Sequence, residues 1–511
     1  MSRAGGRAAR REARAAALPE NVRPIRPGMT GGAYRPLDDN GCRRIYEAAL
    51  EALETIGLAD APPSGIDVMT KAGATLGDDG RLRFSRALVE DMIARAAKPV
   101  TLHGRAPEHD LELSGAKVHY GTAGAAVHLV DPVERTYRDS TALDLLHAAQ
   151  ITQALDNVHF FQRSMVARDI TDNLEMDLNT IYACCAGTRK HVGTSFSEPA
   201  HVGPCVDLLH MIAGGEDAWR ARPFVSNSNC FVVPPMKFAT ESCEAMEACV
   251  RAGIPVLLLS AGQAGATAPA PLALAVVQAV AECLAGVVYV NALAPGHPAV
   301  FGTWPFVSDL RTGAMSGGSG EQALLSAACA QMHRFLGIPG GAAAGMADAK
   351  LPDMQAGWEQ ATSNVMAGLA GLNMVYESVG MHASLLGFCF ESLVLGDDML
   401  GQVLRCVRGV EVTPDDVSID AMREVCFGPG HYLGHGQTLD RMQRDYVYPT
   451  VADRTSPKEW AENDRPDLVL SARARVEAIL AHAPRFIEGE VDRAVRARFA
   501  IHLPPTSEPI P

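Results

Sequence analysis

The stretch GIPGGAAAGMADAKLPDMQAGWE, residues Gly337–Glu359, combines a short apolar segment, a run of small residues and several charged groups. The small residues allow a backbone to approach another backbone or a ligand closely. Asp348, Lys350 and Asp353 follow within six positions, and Pro352 fits a loop or the first turn of a helix. A strand, a loop with charged groups and a helix are typical of a βα unit that presents chemistry at the carboxyl end of its strand. A tight turn capped by Asp348 or Asp353 is the alternative, purely structural interpretation.

The same pattern recurs along the chain, where short apolar runs are each followed by Gly, Ser, Asn or His and then by a helical segment. The predicted strands are Val118–Thr122, Val158–Val166, His191–Ser197, Phe224–Val232, Pro255–Ser260, Ala299–Trp304, Gly337–Gly345 and Met374–Val379. Helices are predicted between them at about 142–155, 173–187, 200–213, 239–252, 270–285, 319–336 and 354–371. This alternation predicts an α/β fold, a (β/α)8 TIM barrel, and disfavours an open doubly wound sheet.

Four regions are predicted around this repeat. Residues 1–36 are a basic arm and a linker, and residues 37–115 form an N-terminal α+β subdomain whose first helix is capped by Asp38 or Asp39. Residues 116–400 form the TIM-barrel catalytic domain. Residues 401–511 form a helical C-terminal extension with a polar extended segment.

Composition excludes several classes of function. A formal net charge of −14 argues against a nucleic-acid partner and against a membrane surface. The apolar run Leu272–Val290 is interrupted by Gln278 and Glu282, which indicates a buried barrel helix and not a membrane span. The 12 cysteines are irregularly spaced without a CxxC pair, which favours reduced thiols and a cytoplasmic location. No metal site is predicted, because His431 and His435 lack the intervening glutamate of the HExxH motif.

Polar and aromatic side chains follow the predicted strands, and together they indicate an active site at the mouth of the barrel. Only 6% of the residues are aromatic, yet several aromatic residues lie at or near strand ends. An aromatic-walled cavity can bind a quaternary ammonium group through cation–π attraction. The aromatic residues predicted to contact substrate are Tyr120, Phe196, Trp304, Phe306, Trp358 and Tyr376, whereas Phe160 and Phe231 are assigned to the core.

The chain resembles the trimethylamine methyltransferase family, specifically its members that lack pyrrolysine. The resemblance covers nearly the whole chain. Its segments are YGTAGAAVHLVD at 120–131, HVGTSFSEP at 191–199, FGTWPFVSDLRTGAMSGGSGE at 301–321, GMADAKLPDMQAGWE at 345–359 and HYLGHGQTLDRMQRDYVYPTVADR at 431–454. Pyrrolysine, in the relatives that contain it, falls in or close to the segment around Lys350, where this chain has an ordinary residue.

The resemblance implies a TIM barrel that moves a methyl group from a methylated amine to the Co(I) of a separate corrinoid protein. No cofactor is then bound tightly by the chain itself, and pyrrolysine-free relatives favour glycine betaine or a similar quaternary amine. The residues expected to take part are Asp309, Lys350 and Glu377 as catalytic groups, Arg163, Arg168, His191 and Arg311 as groups that hold a substrate carboxylate, and Gly345, Asp348 and Gln355 as contacts of the corrinoid.

A quaternary nitrogen already carries its charge, so the amine departs without a proton and the protein works by positioning and electrostatics. Lys350 then occupies a vacated catalytic position, and its replacement is expected to have a modest effect. A methylated sulfonium donor, direct transfer to tetrahydrofolate and a non-catalytic quaternary-amine-binding protein stay open as alternatives. Large apolar helices and the basic arm favour a homo-oligomer.

Overall fold

The computed structural model describes residues 23–505, so residues 1–22 of the predicted basic arm lie outside the described residues. The first elements are β1 (Met29–Thr30), α1 (Asp39–Thr55), α2 (Pro63–Lys71), β2 (Thr75–Leu76), β3 (Leu82–Arg83), α3 (Arg86–Arg95), β4 (Val100–Leu102) and β5 (Leu111–Leu113). The side chain of Asp38 accepts a hydrogen bond from the Gly41 amide and caps α1. Of the two predicted caps, Asp38 and Asp39, the structure therefore selects Asp38.

The rest of the chain contains the barrel and the C-terminal helices. Its strands are β6 (Lys117–Tyr120), β7 (His128–Asp131), β8 (Thr136–Asp139), β9 (Phe161–Gln162), β10 (Val192–Thr194), β11 (Val225–Asn229), β12 (Val256–Ser260), β13 (Gln263–Ala264), β14 (Ala299–Thr303), β15 (Phe306–Val307), β16 (Gly340–Ala343), β17 (Met374–Tyr376), β18 (Met381–His382) and β19 (Gly387–Phe388). Its helices are α4 (Ala142–Ala154), α5 (Asn173–Gly187), α6 (Val202–Ala213), α7 (Glu216–Ala221), α8 (Thr240–Arg251), α9 (Leu272–Leu293), α10 (Gly320–Leu336), α11 (Met354–Ala370), α12 (Phe390–Arg408), α13 (Asp420–Cys426), α14 (Gly436–Arg444), α15 (Pro457–Glu462), α16 (Leu468–Leu480) and α17 (Gly489–Arg498).

Parallel strands close into a ring in the order β6, β17, β16, β14, β12, β11, β10, β9. A parallel bridge between Gly121 and Phe160 joins the last strand to the first. Each of these strands lies within one of the predicted apolar runs or directly beside it, so the predicted (β/α)8 barrel is confirmed. β1 extends the ring by pairing antiparallel with the start of β6, although the sequence assigns its residues to a linker.

Helix α9 is apolar on every side because it is enclosed on every side. It packs against α1, α2 and α3 of the N-terminal region and against β12 and β14 of the barrel. By length and composition it is the one helix of the described chain that could cross a membrane, but it is mostly buried inside the protein. Its carboxylate, Glu282, accepts hydrogen bonds from Ser260, Gln278 and the Met236 amide.

Two hairpins that the sequence does not predict lie at the carboxyl ends of the barrel strands. β7 and β8 follow β6, whereas β18 and β19 follow β17, and together they form a four-stranded sheet in the order β18, β19, β7, β8. A shorter pair, β13 with β15, joins the segments that follow β12 and β14. These elements build a raised rim around the mouth of the barrel.

Candidate active site

A cavity of about 430 Å³ lies at the carboxyl ends of the barrel strands, inside the rim. Its lining includes three kinds of side chain that are relevant to binding. These are aromatic rings (Phe196, Trp304, Phe306), ionisable groups (Arg163, Glu377) and neutral polar groups (Gln162, Ser195, Asn227, Ser228, Asn229, Ser242). This position is where function gathers in barrels of this kind.

Trp304 is the centre of the aromatic wall. The preceding residue, Thr303, points outward to the His333 ring, so the alternation of a strand turns Trp304 inward. The ring centroids of Trp304 and Phe306 are 6.3 Å apart, and those of Trp304 and Tyr376 are 5.2 Å apart. The indole nitrogen of Trp304 is buried without a hydrogen-bond partner in the described chain, which leaves one donor for a ligand.

Glu377 directly follows β17 and is only 1% exposed. Its φ angle of +58° lies in the left-handed region, which is costly for a residue with a side chain. Among the described residues its Oε2 atom has no hydrogen-bond partner. Burial raises the pKa of this carboxyl to about 8, so it is mostly neutral at pH 7 unless a cation binds beside it.

Arg163 and Asn227 lie in one layer across three neighbouring strands. The Arg163 amide donates to the Gly193 carbonyl (2.8 Å), and β10 pairs Thr194 with Asn227. This register places Arg163 and Asn227 on either side of Thr194, with their side chains on the strand face opposite to that of Gln162 and Gly193. The cavity lining therefore includes residues of both faces at these strand ends. In the described structure Arg163 Nε and both amide atoms of Asn227 are buried without partners. Burial lowers the pKa of Arg163, but a guanidinium stays charged in proteins.

Gln162 reaches into the cavity because its neighbour on β10 is a glycine. A Cβ atom on Gly193 would lie 1.5 Å from Gln162 Oε1, a separation that two atoms cannot share. Thr122 fixes the backbone of the same strand by donating its hydroxyl to the Gln162 carbonyl (2.6 Å). The glycine therefore makes room for a polar side chain in the cavity lining.

Asp309 and Arg311, predicted to take part in catalysis and binding, lie outside this cavity. The Arg311 guanidinium pairs with the Asp309 carboxylate on the rim at a nitrogen–oxygen distance of 2.6 Å, and both residues line a second, separate cavity. The hydrogen bond from Arg311 lowers the pKa of the Asp309 carboxyl to about 2. Arg311 has an 88% exposed side chain, so solvent screens its charge. Arg168 also lies on the rim, where it pairs with Asp139.

Tyr120, His191 and Trp358 do not line the cavity either. The Tyr120 hydroxyl donates to the Asn364 carbonyl on α11, so its ring lies outside the barrel wall. His191 precedes β10 at the opposite end of the barrel and is held by the His103 carbonyl and Ser226. Trp358 lies on α11 and is 56% exposed.

The loop between β16 and α11 uses its charged groups to hold the rim together. Asp348 accepts hydrogen bonds from Ser316 (3.0 Å) and Ser384 (2.7 Å), which belong to the loops after β15 and β18. Lys350 is exposed and donates its ammonium to the Asp348 carbonyl. Glu359 accepts from the Asp348 amide and from another predicted contact of the corrinoid, Gln355.

Gly345, the third residue assigned to the corrinoid, has a structural reason to be glycine. Its φ angle is +100°, and a Cβ atom would lie 2.6 Å from Asn364 and 2.7 Å from the Ser378 backbone. Asp353 caps α11 by accepting from the Ala356 amide, which matches the structural alternative for this stretch.

Residues that the sequence places at strand ends, but that were not selected as site residues, complete the cavity lining. Gln162, Asn227 and Asn229 share the strand-end position of the selected residues, but nothing in their sequence context separates them from ordinary polar caps. Leu385 comes from the β18–β19 hairpin, which the sequence does not predict. Within residues 23–505, no group of three or more His, Cys, Asp or Glu side chains is arranged to hold a metal ion.

Comparison with known proteins identifies the family of this chain. The family described as trimethylamine methyltransferase (MTTB) matches residues 3–501. The chain belongs to this family. It is therefore a methyltransferase, as the resemblance implied.

Two relatives of the trimethylamine methyltransferase family illustrate its range. The chain is 28% identical to a glycine betaine methyltransferase of Desulfitobacterium hafniense, over 91% of this chain and 97% of the relative. It is 27% identical to a trimethylamine methyltransferase, MttB, of Methanosarcina thermophila, over 89% of this chain and 95% of the relative. The crystal structure of the Methanosarcina barkeri monomethylamine methyltransferase aligns with a TM-score of 0.44 and 11% identity, over 86% of this chain and 98% of that chain.

Proposed function

We propose that this methyltransferase moves a methyl group from a small quaternary ammonium compound, with glycine betaine as the leading candidate, to the Co(I) of a separate corrinoid protein. One observation carries the proposal. A single cavity at the barrel mouth combines aromatic rings, a buried carboxyl without a partner and a guanidinium without an ion pair among the described residues. Glu377 and Arg163 are not paired with each other, so both remain available to a ligand.

The trimethylammonium end of the substrate fits the aromatic side of the cavity. The rings of Trp304, Phe306 and Phe196 line the cavity, and the faces of such rings attract a quaternary cation without hydrogen bonds. Glu377 supplies the complementary charge once a cation favours its ionised form. A moderate attraction suffices, since excessive stabilisation of bound substrate would raise the barrier to transfer.

The carboxylate end of the substrate fits the layer that contains Arg163 and Asn227. A guanidinium and an amide, both with free donors, suit a carboxylate through charge-assisted hydrogen bonds. Trimethylamine has no anionic group and would leave these donors unpartnered, which costs free energy in a buried site. This favours a zwitterionic donor over a simple amine.

For this chemistry the residues of the cavity need only position the substrate. In the proposed transfer a carbon–cobalt bond would form as the carbon–nitrogen bond breaks, and the electron pair of the broken bond would stay on nitrogen, so the donor would depart as a tertiary amine with an uncharged nitrogen. No proton moves. The aromatic wall and Arg163 orient the methyl group toward the open mouth, from which a partner protein can approach.

The twelve free cysteines support a cytoplasmic setting for this reaction, because strongly reduced Co(I) and reduced thiols belong in the same compartment. We also propose that the enzyme acts as a homo-oligomer. Of the residues assigned earlier to the corrinoid, Asp348 accepts from Ser316 of a rim loop, the Gly345 amide donates to Ser363 on α11, and Gln355 donates to Glu359 within α11. We propose that they contribute to docking through the shape of the mouth.

The test mixes purified protein with photoreduced Co(I) cobalamin and follows methylcobalamin by absorbance. Glycine betaine, carnitine, trimethylamine and a methylated sulfonium are compared as donors. We expect methylation with glycine betaine, loss of it in E377Q and R163Q, and retention in R311Q, whose side chain lies outside the cavity. Methylation from the sulfonium alone would change the donor class, because the same aromatic wall recognises either cation.

Two further outcomes identify the remaining alternatives. Tight glycine betaine binding by calorimetry, without methylation of any corrinoid, would indicate a binding protein. Methylation of tetrahydrofolate in the absence of cobalamin would indicate direct transfer. No methylation with any betaine, carnitine or sulfonium contradicts the proposal.

A further inference from the structure

The carboxyl of Glu377 offers a hydrogen-bond acceptor that a quaternary ammonium cannot use. Its Oε2 atom is buried and has no hydrogen-bond partner within residues 23–505. A nitrogen with four carbon substituents has no N–H, so a quaternary ammonium interacts with this carboxyl through charge alone. A protonated tertiary amine has one N–H, and that group can donate a charge-assisted hydrogen bond to a carboxylate. The two kinds of cation should therefore bind here with different affinities.

The wall of the cavity leaves this carboxyl open to a ligand. Gly124 lines the cavity beside Glu377, and a Cβ atom at Gly124 would lie 3.7 Å from Glu377 Oε1 and would collide with Met381. Glycine at this position therefore keeps the space next to the carboxyl free. Tyr376 directly precedes Glu377, and its ring centroid is 5.2 Å from that of Trp304. The carboxyl and the aromatic wall consequently border the same volume.

The other polar groups that line the cavity are weaker acceptors for an ammonium N–H. Its ionisable lining residues are Glu377, Arg163 and Cys230. Arg163 is a cation, and burial raises the pKa of the Cys230 thiol, which keeps the thiol neutral. The amide oxygens of Asn227 and Asn229 are also buried without partners in the part of the chain that the structure describes. A neutral amide oxygen accepts a weaker hydrogen bond than a carboxylate, so Glu377 is the preferred acceptor.

The aromatic rings and the carboxyl favour opposite members of such a pair of cations. A protonated tertiary amine loses the hydration of its N–H when it enters an apolar site, whereas a quaternary ammonium has no such hydrogen bond to lose. Aromatic rings alone would therefore favour the quaternary ammonium. A buried carboxylate reverses this order, because a hydrogen bond between charged groups raises affinity by about 10- to 100-fold.

We infer that the active site binds the tertiary amine left by methyl transfer, in its protonated form, more tightly than the quaternary substrate, so that the product inhibits the enzyme. This inhibition rests on the proposed methyl transfer, because that reaction produces the tertiary amine. The broken carbon–nitrogen bond leaves an electron pair on nitrogen, this pair takes one proton from solvent, and the new N–H donates to Glu377. From glycine betaine the product is dimethylglycine, which keeps the carboxylate that suits Arg163. Loss of one methyl group thus replaces an apolar contact by an ionic hydrogen bond.

Calorimetry at pH 7 tests this with two pairs of ligands that differ only by N–H against N–CH3. Dimethylglycine is compared with glycine betaine, and trimethylammonium with tetramethylammonium. We expect the wild type to bind the N–H member of each pair about 10- to 100-fold more tightly. E377L removes the acceptor and should reverse the preference, whereas E377Q, which keeps a neutral acceptor, should reduce it. N229A removes one of the neutral amide oxygens and should retain the wild-type preference. Circular dichroism establishes that each variant is folded.

Wild-type protein that binds the N–H members no more tightly than the quaternary members overturns the inference, and so does a preference that is unchanged in both E377L and E377Q. The binding measurements need no corrinoid, so a failure of methyl transfer does not affect them. Conversely, methylation of cobalamin from glycine betaine without a preference for dimethylglycine would leave the proposed function intact. In the cobalamin assay dimethylglycine should compete with glycine betaine, with an inhibition constant about 10- to 100-fold below the dissociation constant of glycine betaine.

Discussion

The raised pKa of Glu377 predicts that the protein releases a proton when substrate binds. Its pKa of about 8 in the free protein leaves about a tenth of the molecules ionised at pH 7. A bound quaternary cation favours the ionised carboxylate, so binding should release about 0.9 proton at pH 7. Calorimetry of glycine betaine binding in buffers with different ionisation enthalpies measures this number directly.

The same reasoning gives the direction and size of the pH dependence. If the ionised form alone binds tightly, the apparent dissociation constant scales as 1 + 10^(pKa − pH), so affinity should rise about 50-fold between pH 6 and pH 8 and then level off. The rise occurs as pH approaches the raised pKa of Glu377 from below. In E377Q, which keeps the shape and removes the titration, affinity should be lower at pH 8 and independent of pH.

A matched control separates this effect from general changes in charge. Asp309 is also a carboxylate near the mouth, but its pKa of about 2 keeps it ionised throughout the measured range. D309N should therefore retain the proton release and the pH dependence of the wild type. Wild-type affinity that does not change between pH 6 and pH 8, or a slope that persists in E377Q, would refute the assignment of Glu377 to the cation.

Four other outcomes are expected. Because its folded-state pKa of about 8 exceeds the unfolded value of 4.5, Glu377 holds its proton in the folded protein over a range in which the unfolded chain has lost it. Stability therefore falls as pH rises, and between pH 5 and pH 9 the wild type should lose about 4 kcal/mol of unfolding free energy that E377Q keeps, as measured by denaturant titration at each pH. R163Q should weaken glycine betaine binding by about 10- to 100-fold and leave tetramethylammonium binding unchanged, since tetramethylammonium has no carboxylate; calorimetry measures both. K350A should lower methyl transfer less than about threefold, because the ammonium contacts a backbone carbonyl of its own loop; complete loss of activity in a folded, substrate-binding variant would restore an acid–base role. G193A should displace Gln162, with lower thermal stability and a higher dissociation constant for substrate, whereas the double variant G193A/Q162A should recover stability and not affinity.

The barrel could be predicted from the sequence because its signals are repeated and local. Each buried parallel strand is a continuous apolar run, and each is followed by a helix with periodic apolar residues. The rim hairpins gave no such signal. β18 and β19 are two residues long, and β8 is exposed along its whole length, so neither shows a buried run. They are ordered by pairing between residues about 260 positions apart, such as His128 and Gly387, which a local sequence pattern does not contain.

The site was harder to predict because a strand end has two faces. Trp304 and Tyr120 both occur near the ends of strands, but the Trp304 ring points into the barrel whereas the Tyr120 ring points out to α11. The register of neighbouring strands decides this, and a shift of one residue reverses it. His191 shows a second difficulty, since it belongs to the first residues of its predicted strand and therefore lies at the opposite end of the barrel.

The hydrogen bonds of Asp348 affect how ligands enter the mouth of the barrel. Its two oxygens join the loops that contain Ser316 and Ser384, and the Lys350 carbonyl, two residues further on, accepts a hydrogen bond from the Tyr137 hydroxyl of the β7–β8 hairpin. Segments that follow four different barrel strands are thereby linked through one short stretch of backbone. We therefore expect the entrance to open and close as a single unit. The kinetics of substrate entry should then show one exponential phase in the wild type and several phases in D348N.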